Sequence, residues 1–470
     1  MDKYKRLLKN TVIVFLGNIG TKLLQFLLLP LYTRWMTPAE YGTVDLITVY
    51  GTIFLSLVSC QIQDSIFLFP NRKSFEQQKK YFSSGLLFAF FTTMLALLAV
   101  AVGGTVLKHI ESRNVLTDYI WMIYLYMALS LFQNYTQQFC RSIDKMVVYS
   151  ISGFLVTVSM VFFAFVLVRP YGMKGYLISL FASQFISILY MIFAAHLPSF
   201  FSFFCFDYRY LVHMLKYSLP LVPTTLMWWI IYSSNRPLLE KYCSISEIGL
   251  FVVANKFPTL LAVVYTIFGN AWQISVVEEF RSAQYVGYFN RVFDLFFLIM
   301  LGCAVGLTMC SKWLIILFTG SAYHSSWVFM PLLAMGIVFS NLSGFIATNF
   351  TAAKKSMYYL YSAGAAIIIA LCLNFILIPR FGVWGATFSI CGSLFSLLVI
   401  RCIFAARYVR ISGVPGKTIL TICTFLLICL TLQDGDSILS FCAGGALFLV
   451  LAVLFFRKLD PRLFRKHVNP

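Results

Sequence analysis

Apolar runs of some twenty residues follow one another along almost the whole chain, parted only by short polar breaks. They cover 10–36, 43–69, 82–107, 118–140, 146–168, 175–197, 215–238, 249–275, 289–311, 325–349, 356–379, 383–406, 418–433 and 437–456. A helix needs about twenty residues to cross a ~30 Å hydrocarbon core. The pattern predicts an all-α integral membrane protein of fourteen transmembrane helices. Its connections are too short to house a soluble domain. The first run follows Lys3, Lys5, Arg6 and Lys9 in the manner of a signal peptide. Its length and the want of a small-residue cleavage site predict a retained first span instead.

The pattern also repeats. Shifted by 207 positions, Leu8-Lys9 becomes Leu215-Lys216, Pro30-Leu31 becomes Pro237-Leu238, Glu40 becomes Glu247 and Gly42 becomes Gly249. Arg34, Trp35 and Thr37 fall on Lys241, Tyr242 and Ser244. At an offset of 210, Lys145, Tyr149, Leu167, Gly172, Gly175, Ser179, Ser183 and Phe185 return as Lys355, Tyr359, Leu377, Gly382, Gly385, Ser389, Ser393 and Phe395. Helices one to six thus correspond to seven to twelve. The expected domains are a six-helix bundle in 1–200, a second in 201–410, and two further helices with a basic cytoplasmic tail in 411–470. Six is an even number, so both copies enter the membrane in one direction. A pseudo-two-fold along the membrane normal, with a pathway between the bundles, is the expectation.

Polar residues inside the spans fall on faces rather than at random. Thr11, Asn18, Lys22 and Gln25 share one face of the first helix, and Asp45, Thr48, Thr52, Ser56, Ser59 and Gln63 one face of the second. The seventh supplies Thr225, Tyr232 and Asn235, the eighth Asn255, Thr259, Thr266, Asn270 and Gln273. Such a face in hydrocarbon is hidden against another helix or against water. Interhelical hydrogen bonds would suffice for serine and threonine, whereas the stripe's length and its ionisable groups favour a water-filled cavity. Lys22 and Lys256 are the basic residues placed well inside spans, where a lysine costs about 2.5–3.5 kcal/mol. Each therefore calls for an anionic partner or a wet cavity; snorkelling is the alternative, more readily for Lys256. Asp45 and Asp64 are candidate counter-ions for them and, with Asp294, candidates for ion or proton coupling. Pro30, Pro237 and Pro258 lie within or near the ends of spans and Pro220 and Pro223 open the seventh, where they would kink or break helices.

Composition agrees with this picture. Sixty per cent of the 470 residues are hydrophobic and 11% charged, against about 25% charged in soluble proteins. The net charge of +19 is dispersed over short loops with no aromatic-interleaved basic module, so a topological role is expected and no nucleic-acid partner. With the N-terminus inside, twenty-five of the 36 Lys and Arg fall on the cytoplasmic side and nine outside. This asymmetry predicts that both termini are cytoplasmic. The twelve cysteines lie mostly in apolar segments without a C-x-x-C pair, so neither disulfides nor a metal site is expected.

Enzyme motifs fail on inspection. Gly413–Thr418 reads GVPGKT, but position 411, where a phosphate loop needs its first glycine, is isoleucine and no strand precedes it. Asp434-Gly435-Asp436 imitates a D-x-D metal site in a tiny loop expected to face outward. No catalytic residue and no cofactor is called for. The chain is expected not to be an enzyme.

The block Lys9–Gly42, above all Arg34-Trp-Met-Thr-Pro-Ala-Glu-Tyr-Gly42 followed by Asp45-Leu46, resembles the Wzx-type polysaccharide flippases. These are the oligosaccharide-lipid branch of the multidrug/oligosaccharidyl-lipid/polysaccharide (MOP) exporter superfamily. Two six-helix halves with a two-helix tail also match that branch, on a MOP/MATE-like fold whose multidrug members usually lack the tail. One departure lies at the end of the second helix, where many members carry an arginine and this chain reads Asp64-Ser-Ile-Phe-Leu-Phe69. The resemblance implies a flippase in the bacterial cytoplasmic membrane, moving undecaprenyl-pyrophosphate-linked repeat units of O-antigen, capsule or exopolysaccharide by alternating access. Its implied partners are the lipid-linked oligosaccharide, membrane lipids, a polymerase or glycosyltransferase, and H+ or Na+ as coupling ion. Lys22, Lys256, Asn18, Gln25, Thr52, Asn235, Asn255, Asn270 and Gln273 are the candidate cavity residues for pyrophosphate and sugars. A cation-coupled exporter of the MATE branch is the nearest alternative; a membrane-embedded polymerase or glycosyltransferase would need a larger catalytic loop.

Overall fold

The computed structural model describes residues 26, 28–109, 114–280, 282, 284–353, 355, 357–409, 416–423, 425 and 450. Most of the first span (10–36) and of the two appended spans (418–433 and 437–456) therefore lies outside the described residues. The elements up to the middle of the chain are α1 (Leu29–Trp35), α2 (Pro38–Val58), α3 (Ile62–Leu68), α4 (Phe75–His109), α5 (Val115–Asp118), α6 (Ile120–Ser142), α7 (Met146–Ala194) and α8 (Tyr208–Ser218). There follow α9 (Leu221–Ser233), α10 (Asn235–Tyr242), α11 (Ile245–Lys256), α12 (Leu260–Glu279), α13 (Tyr285–Met309), α14 (Ser311–Phe318), α15 (Met330–Ala352) and α16 (Met357–Ala405). Tight 3-10 turns form at Leu197–Phe200, Phe203–Cys205 and Ser321–Phe329. Among the described residues there is no strand, and seven helical stretches are long and apolar enough to cross a membrane. The protein is an all-α, multi-pass membrane protein. Its chain folds into two compact units, residues to Trp229 with Ser244–Gly249, and Ile230–Cys243 with Leu250 onward.

Helices α7 and α16, each 49 residues long, are hairpins rather than rods. Each turns on a glycine with positive φ, Gly172 (φ 52°) and Gly382 (φ 55°), a conformation that a side chain resists. Gly175 and Gly385 then sit so close to the Leu167 and Leu377 carbonyls that a Cβ on either would overlap them. Ser187 donates across the first hairpin to the Ser152 carbonyl (3.2 Å), and Ser389 across the second to that of Ala370 (3.3 Å). The 210-residue sequence repeat is thus the recipe for one hairpin turn, written twice. It supplies the predicted spans 146–168 with 175–197 and 356–379 with 383–406.

The 207-residue repeat has an equally local meaning. Helix α1 ends at Trp35 and α10 at Tyr242, and the next residue, Met36 or Cys243, is extended (φ −121° and −129°). Thr37 and Ser244 then open α2 and α11. The Glu40 carboxylate accepts from the Thr37 N–H (2.8 Å), and that of Glu247 accepts from the Ser244 N–H (2.9 Å). Each hydroxyl in turn accepts from its glutamate's N–H at 3.3 Å. These are two capping boxes, which satisfy donors that a helix start leaves unbonded. The copies differ in one respect. Glu40 also accepts from the Met173 N–H (3.3 Å), one residue past the positive-φ Gly172, so it holds the α7 turn as well as its own helix. Glu40→Ala is therefore expected to lower the thermal unfolding midpoint more than Glu247→Ala, which removes a cap worth about 0.5–2 kcal/mol. Equal losses would show that the hairpin contact contributes nothing.

Several prolines fall at helix starts or breaks, while Pro170 and Pro379 lie inside α7 and α16 just before their turns. Pro30 is in the first turn of α1, Pro38 opens α2, Pro237 is in the first turn of α10, Pro220 separates α8 from α9, and Pro258 separates α11 from α12. The predicted continuous spans 215–238 and 249–275 are accordingly broken. The second span, 43–69, breaks too, at Cys60 and Gln61, which both take positive φ (45° and 55°). There the Ser59 hydroxyl accepts from the Gln61 N–H (3.1 Å) and pins the bend. Within the first unit the core gathers Ile62, Ile66, Phe82, Tyr135, Phe139 and Met191. Within the second, Phe345 of α15 stacks on Trp272 (4.6 Å) and meets Phe289, Phe293 and Phe296.

Candidate functional site

On the α2 stripe Asp45, Thr48 and Thr52 are half-buried, and Ser56 and Ser59 are buried. Thr48, Thr52 and Ser56 each donate to a carbonyl of their own helix, of Asp45 (2.9 Å), Val49 (2.8 Å) and Thr52 (3.0 Å). The hydroxyls thus have a backbone partner whether or not water reaches them, while their second lone pairs stay open to a ligand. Asp45 is half-buried on this face, whereas Asp64 is exposed in the first turn of α3, beyond the bend at Cys60. Asn18, Lys22 and Gln25 lie outside the described residues.

In the second unit Asn235 is buried, Asn255 half-buried and Gln273 exposed; the side chain of Asn270 is outside the described residues. Lys256 is the last residue of α11 and is exposed. Asp294 on α13 forms an ion pair with Lys417, whose ammonium lies 5.0 Å from the centre of the Phe293 ring. That carboxylate is therefore committed to the segment after α16.

A buried polar seam, of which the sequence singled out Tyr232 and Asn235 but neither arginine, runs through the second unit. Asn374 donates to the Ser234 hydroxyl (3.0 Å) at the break between α9 and α10. Next to it, Arg236 donates to the Asn235 side-chain oxygen (2.9 Å) and to the Tyr232 carbonyl. The Tyr232 hydroxyl pairs with that of Ser340 (2.6 Å). One turn further along α15, Ser343 accepts from Arg401 (3.3 Å), which also donates to Ser362 (3.4 Å) and lies over the Tyr359 ring (5.2 Å). Tyr232, Tyr265 and Tyr359 all stand within electrostatic reach of this guanidinium. Arg236 and Arg401, 7% and 2% exposed, are the only charged side chains buried among the described residues.

Both arginines lie inside or at the rim of predicted spans, and assigning them to the loops hid them. The internal repeat holds the missed signal. Ser340, Tyr359 and Ser362 correspond at offset 210 to Ser130, Tyr149 and Ser152, but Arg401 corresponds to Met191. Met191 is fully buried in the apolar core of the first unit. There the counterpart tyrosine, Tyr149, is met instead by Arg141 of α6, at 5.7 Å. A charge was thus placed in one copy of a duplicated framework, where the other copy packs a thioether.

The model of a family described as "Polysaccharide biosynthesis protein" matches residues 7–272. No curated protein matches the chain. Among solved structures, the lipid II flippase MurJ in an inward closed conformation superposes with a TM-score of 0.73 at 14% identity, over 95% of this chain and 99% of that one. An inward-facing multidrug resistance MATE family transporter of the MOP superfamily gives 0.67 at 11% identity, over 82% and 94%. A Vibrio cholerae MATE transporter gives 0.53 at 12% identity, over 86% and 96%. These likenesses carry the fold.

Proposed function

The chain belongs to the polysaccharide biosynthesis protein family, and on that premise we propose that it is a flippase for undecaprenyl-pyrophosphate-linked oligosaccharide repeat units. It would carry them from the inner to the outer leaflet of a bacterial cytoplasmic membrane by alternating access. The family match over 7–272 carries the reading. The fold shared with a protein named for flipping lipid II, over nearly the whole of both chains, supports it.

The chemistry of the stripe suits such a cargo. A pyrophosphate needs cationic partners, for which Lys22 and Lys256 are the proposed residues, lysine acting as a point charge rather than a planar fork. Sugars need neutral donors and acceptors, the proposed roles of Asn18, Gln25, Thr52, Asn235, Asn255, Asn270 and Gln273. The lipid tail would remain in the bilayer. Asp45 and Asp64 are the proposed coupling carboxylates; Asp294, already paired with Lys417, is the less available third.

Reconstitution tests the proposal. Proteoliposomes holding the purified chain should expose a lipid-linked oligosaccharide to an impermeant lectin faster than empty vesicles. Lys22→Glu, which puts a negative charge where the pyrophosphate is to bind, should lower that rate by at least about tenfold, the equivalent of 1.4 kcal/mol. Normal export by this variant would remove Lys22 from the site. Cation-driven efflux of a dye, with no movement of the lipid-linked sugar, would favour the MATE branch.

A further inference from the structure

The connection between the two sequence repeats is a built surface. Residues 197–209 read LPSFFSFFCFDYR, with a second short segment, 69–80, packed alongside. Two serines of α4 fasten the connection from below. Ser83 donates to the Phe200 carbonyl (3.1 Å) and accepts from the Ser202 N–H (3.1 Å). Its neighbour Ser84 donates to the Asp207 carbonyl (3.3 Å) and accepts from the Asp207 N–H (3.0 Å). The Tyr81 hydroxyl meets His213 at 3.2 Å, Lys80 pairs with Asp207 at 3.9 Å, and Phe75 packs on Phe200 at 4.9 Å.

Held this way, the segment turns Phe200 inward, packs the half-buried Phe201 against the core and displays its other phenylalanines. Phe200 is 8% exposed, whereas Phe203 is 69% and Phe204 101% exposed, with Phe206 and Tyr208 also outward. Four hydrogen bonds between the two serine hydroxyls and its main chain hold the segment in place, and Phe201 packs edge-on against Phe203 (4.9 Å), which leaves Phe203, Phe204 and Phe206 outward. Basic side chains frame them, Arg72, Lys73, Lys79, Lys80, Arg209 and Lys216, against Glu76 and Asp207 alone in the same stretches. Charge asymmetry assigns this edge to the cytoplasmic side of the membrane. Rings beside basic side chains at a membrane edge are the chemistry of a headgroup interface, where each Lys or Arg is drawn to an anionic leaflet.

We infer that this pinned aromatic and basic face, residues 69–80 with 197–217, binds anionic phospholipid headgroups of the leaflet beside it. The rings enter the headgroup region and the lysines and arginines hold the phosphates. Asp207 pairs with Lys80, which leaves Arg72, Lys73, Lys79, Arg209 and Lys216 for the phosphates.

The test uses the full-length chain in proteoliposomes and involves no sugar cargo, so it stands apart from the flippase reading. Phe204→Trp places a reporter at a fully exposed position that folding can spare. Its added emission should be quenched by phospholipids brominated near the headgroup and shielded from aqueous iodide. Wild-type protein should unfold at a higher temperature in phosphatidylcholine containing phosphatidylglycerol than in phosphatidylcholine alone. Lys73→Gln, Lys79→Gln, Arg209→Gln and Lys216→Gln combined should abolish that difference. Iodide quenching without bromolipid quenching would overturn the inference and leave a water-facing surface fit for a soluble partner. So would a phosphatidylglycerol effect unchanged in the glutamine variant.

Discussion

Gly249→Val is expected to abolish translocation while leaving the protein folded in the membrane. The first turns of α2 and α11 meet in a reciprocal contact. A Cβ on Gly249 would overlap the Pro38 carbonyl, and one on Gly42 would overlap the Ile245 carbonyl. Pro38 and Ile245 are themselves 207 residues apart, as are the two glycines, so each start presents to the other what it receives. That is the self-complementary pattern of a two-fold contact. Both obstacles are main chain in the first turn of a capped helix, which cannot swing aside as a side chain can. Residues Ser244–Gly249 belong with α2 to the first unit, so the contact is internal to that unit. A wedge of even one methyl should cost about 1–3 kcal/mol, and valine more. Because each start keeps its own capping box, the helices should survive. The check is a flipping assay together with thiol labelling of Thr52→Cys from outside the cell. Gly249→Val should slow the former at least about tenfold and speed the latter, with Gly42→Val behaving alike. Gly306→Ala is the control, since a Cβ there meets nothing within 4 Å. Full activity in Gly249→Val would mean that the starts need not close.

What could be read from the sequence follows from how local each cause is. Gly172 and Gly382 were visible as repeat matches because a hairpin turn with positive φ restricts the residue at that position itself. Thr37 with Glu40, and Ser244 with Glu247, were visible because a capping box spans three residues. Long apolar runs reveal spans because the bilayer acts on each helix separately. The bend at Cys60 and Gln61 carries neither glycine nor proline, and a serine hydroxyl two residues back stabilises it, so hydropathy passes over it. Asp294 looked like a coupling carboxylate because its partner, Lys417, is more than a hundred residues away and becomes a neighbour only on folding. Arg401 sits near the end of a predicted span, where a long cation ordinarily snorkels to water. Only the surrounding Ser343 of α15 and Ser362 and Tyr359 of the other arm of α16 turn it inward.

Arg401→Met is expected to separate the stability of the second unit from its function. Truncating a buried side chain of this size to alanine leaves a cavity and costs about 2–5 kcal/mol, whereas replacing a buried charge with an apolar side chain of similar length is often neutral or stabilising. The chain already contains that replacement, since Met191 fills the equivalent place in the first unit and is fully buried there. Arg401→Met should therefore reach the membrane at normal levels and unfold within a few degrees of wild type, while Arg401→Ala should be markedly less stable. Translocation should nevertheless fall in Arg401→Met, by about tenfold or more. Arginine here ties α15 to both arms of α16 through Ser343 and Ser362 and lies over the Tyr359 ring, an arrangement that a thioether cannot hold. Lysine is a sharper comparison, for it keeps the charge but cannot reach Ser343 and Ser362 with a planar fork. Arg401→Lys restoring the rate would assign the role to charge. A rate that stays low would assign it to the geometry of the fork. Arg401→Met flipping as well as wild type would reduce the seam to packing, and its arginines to residues that methionine could replace without consequence.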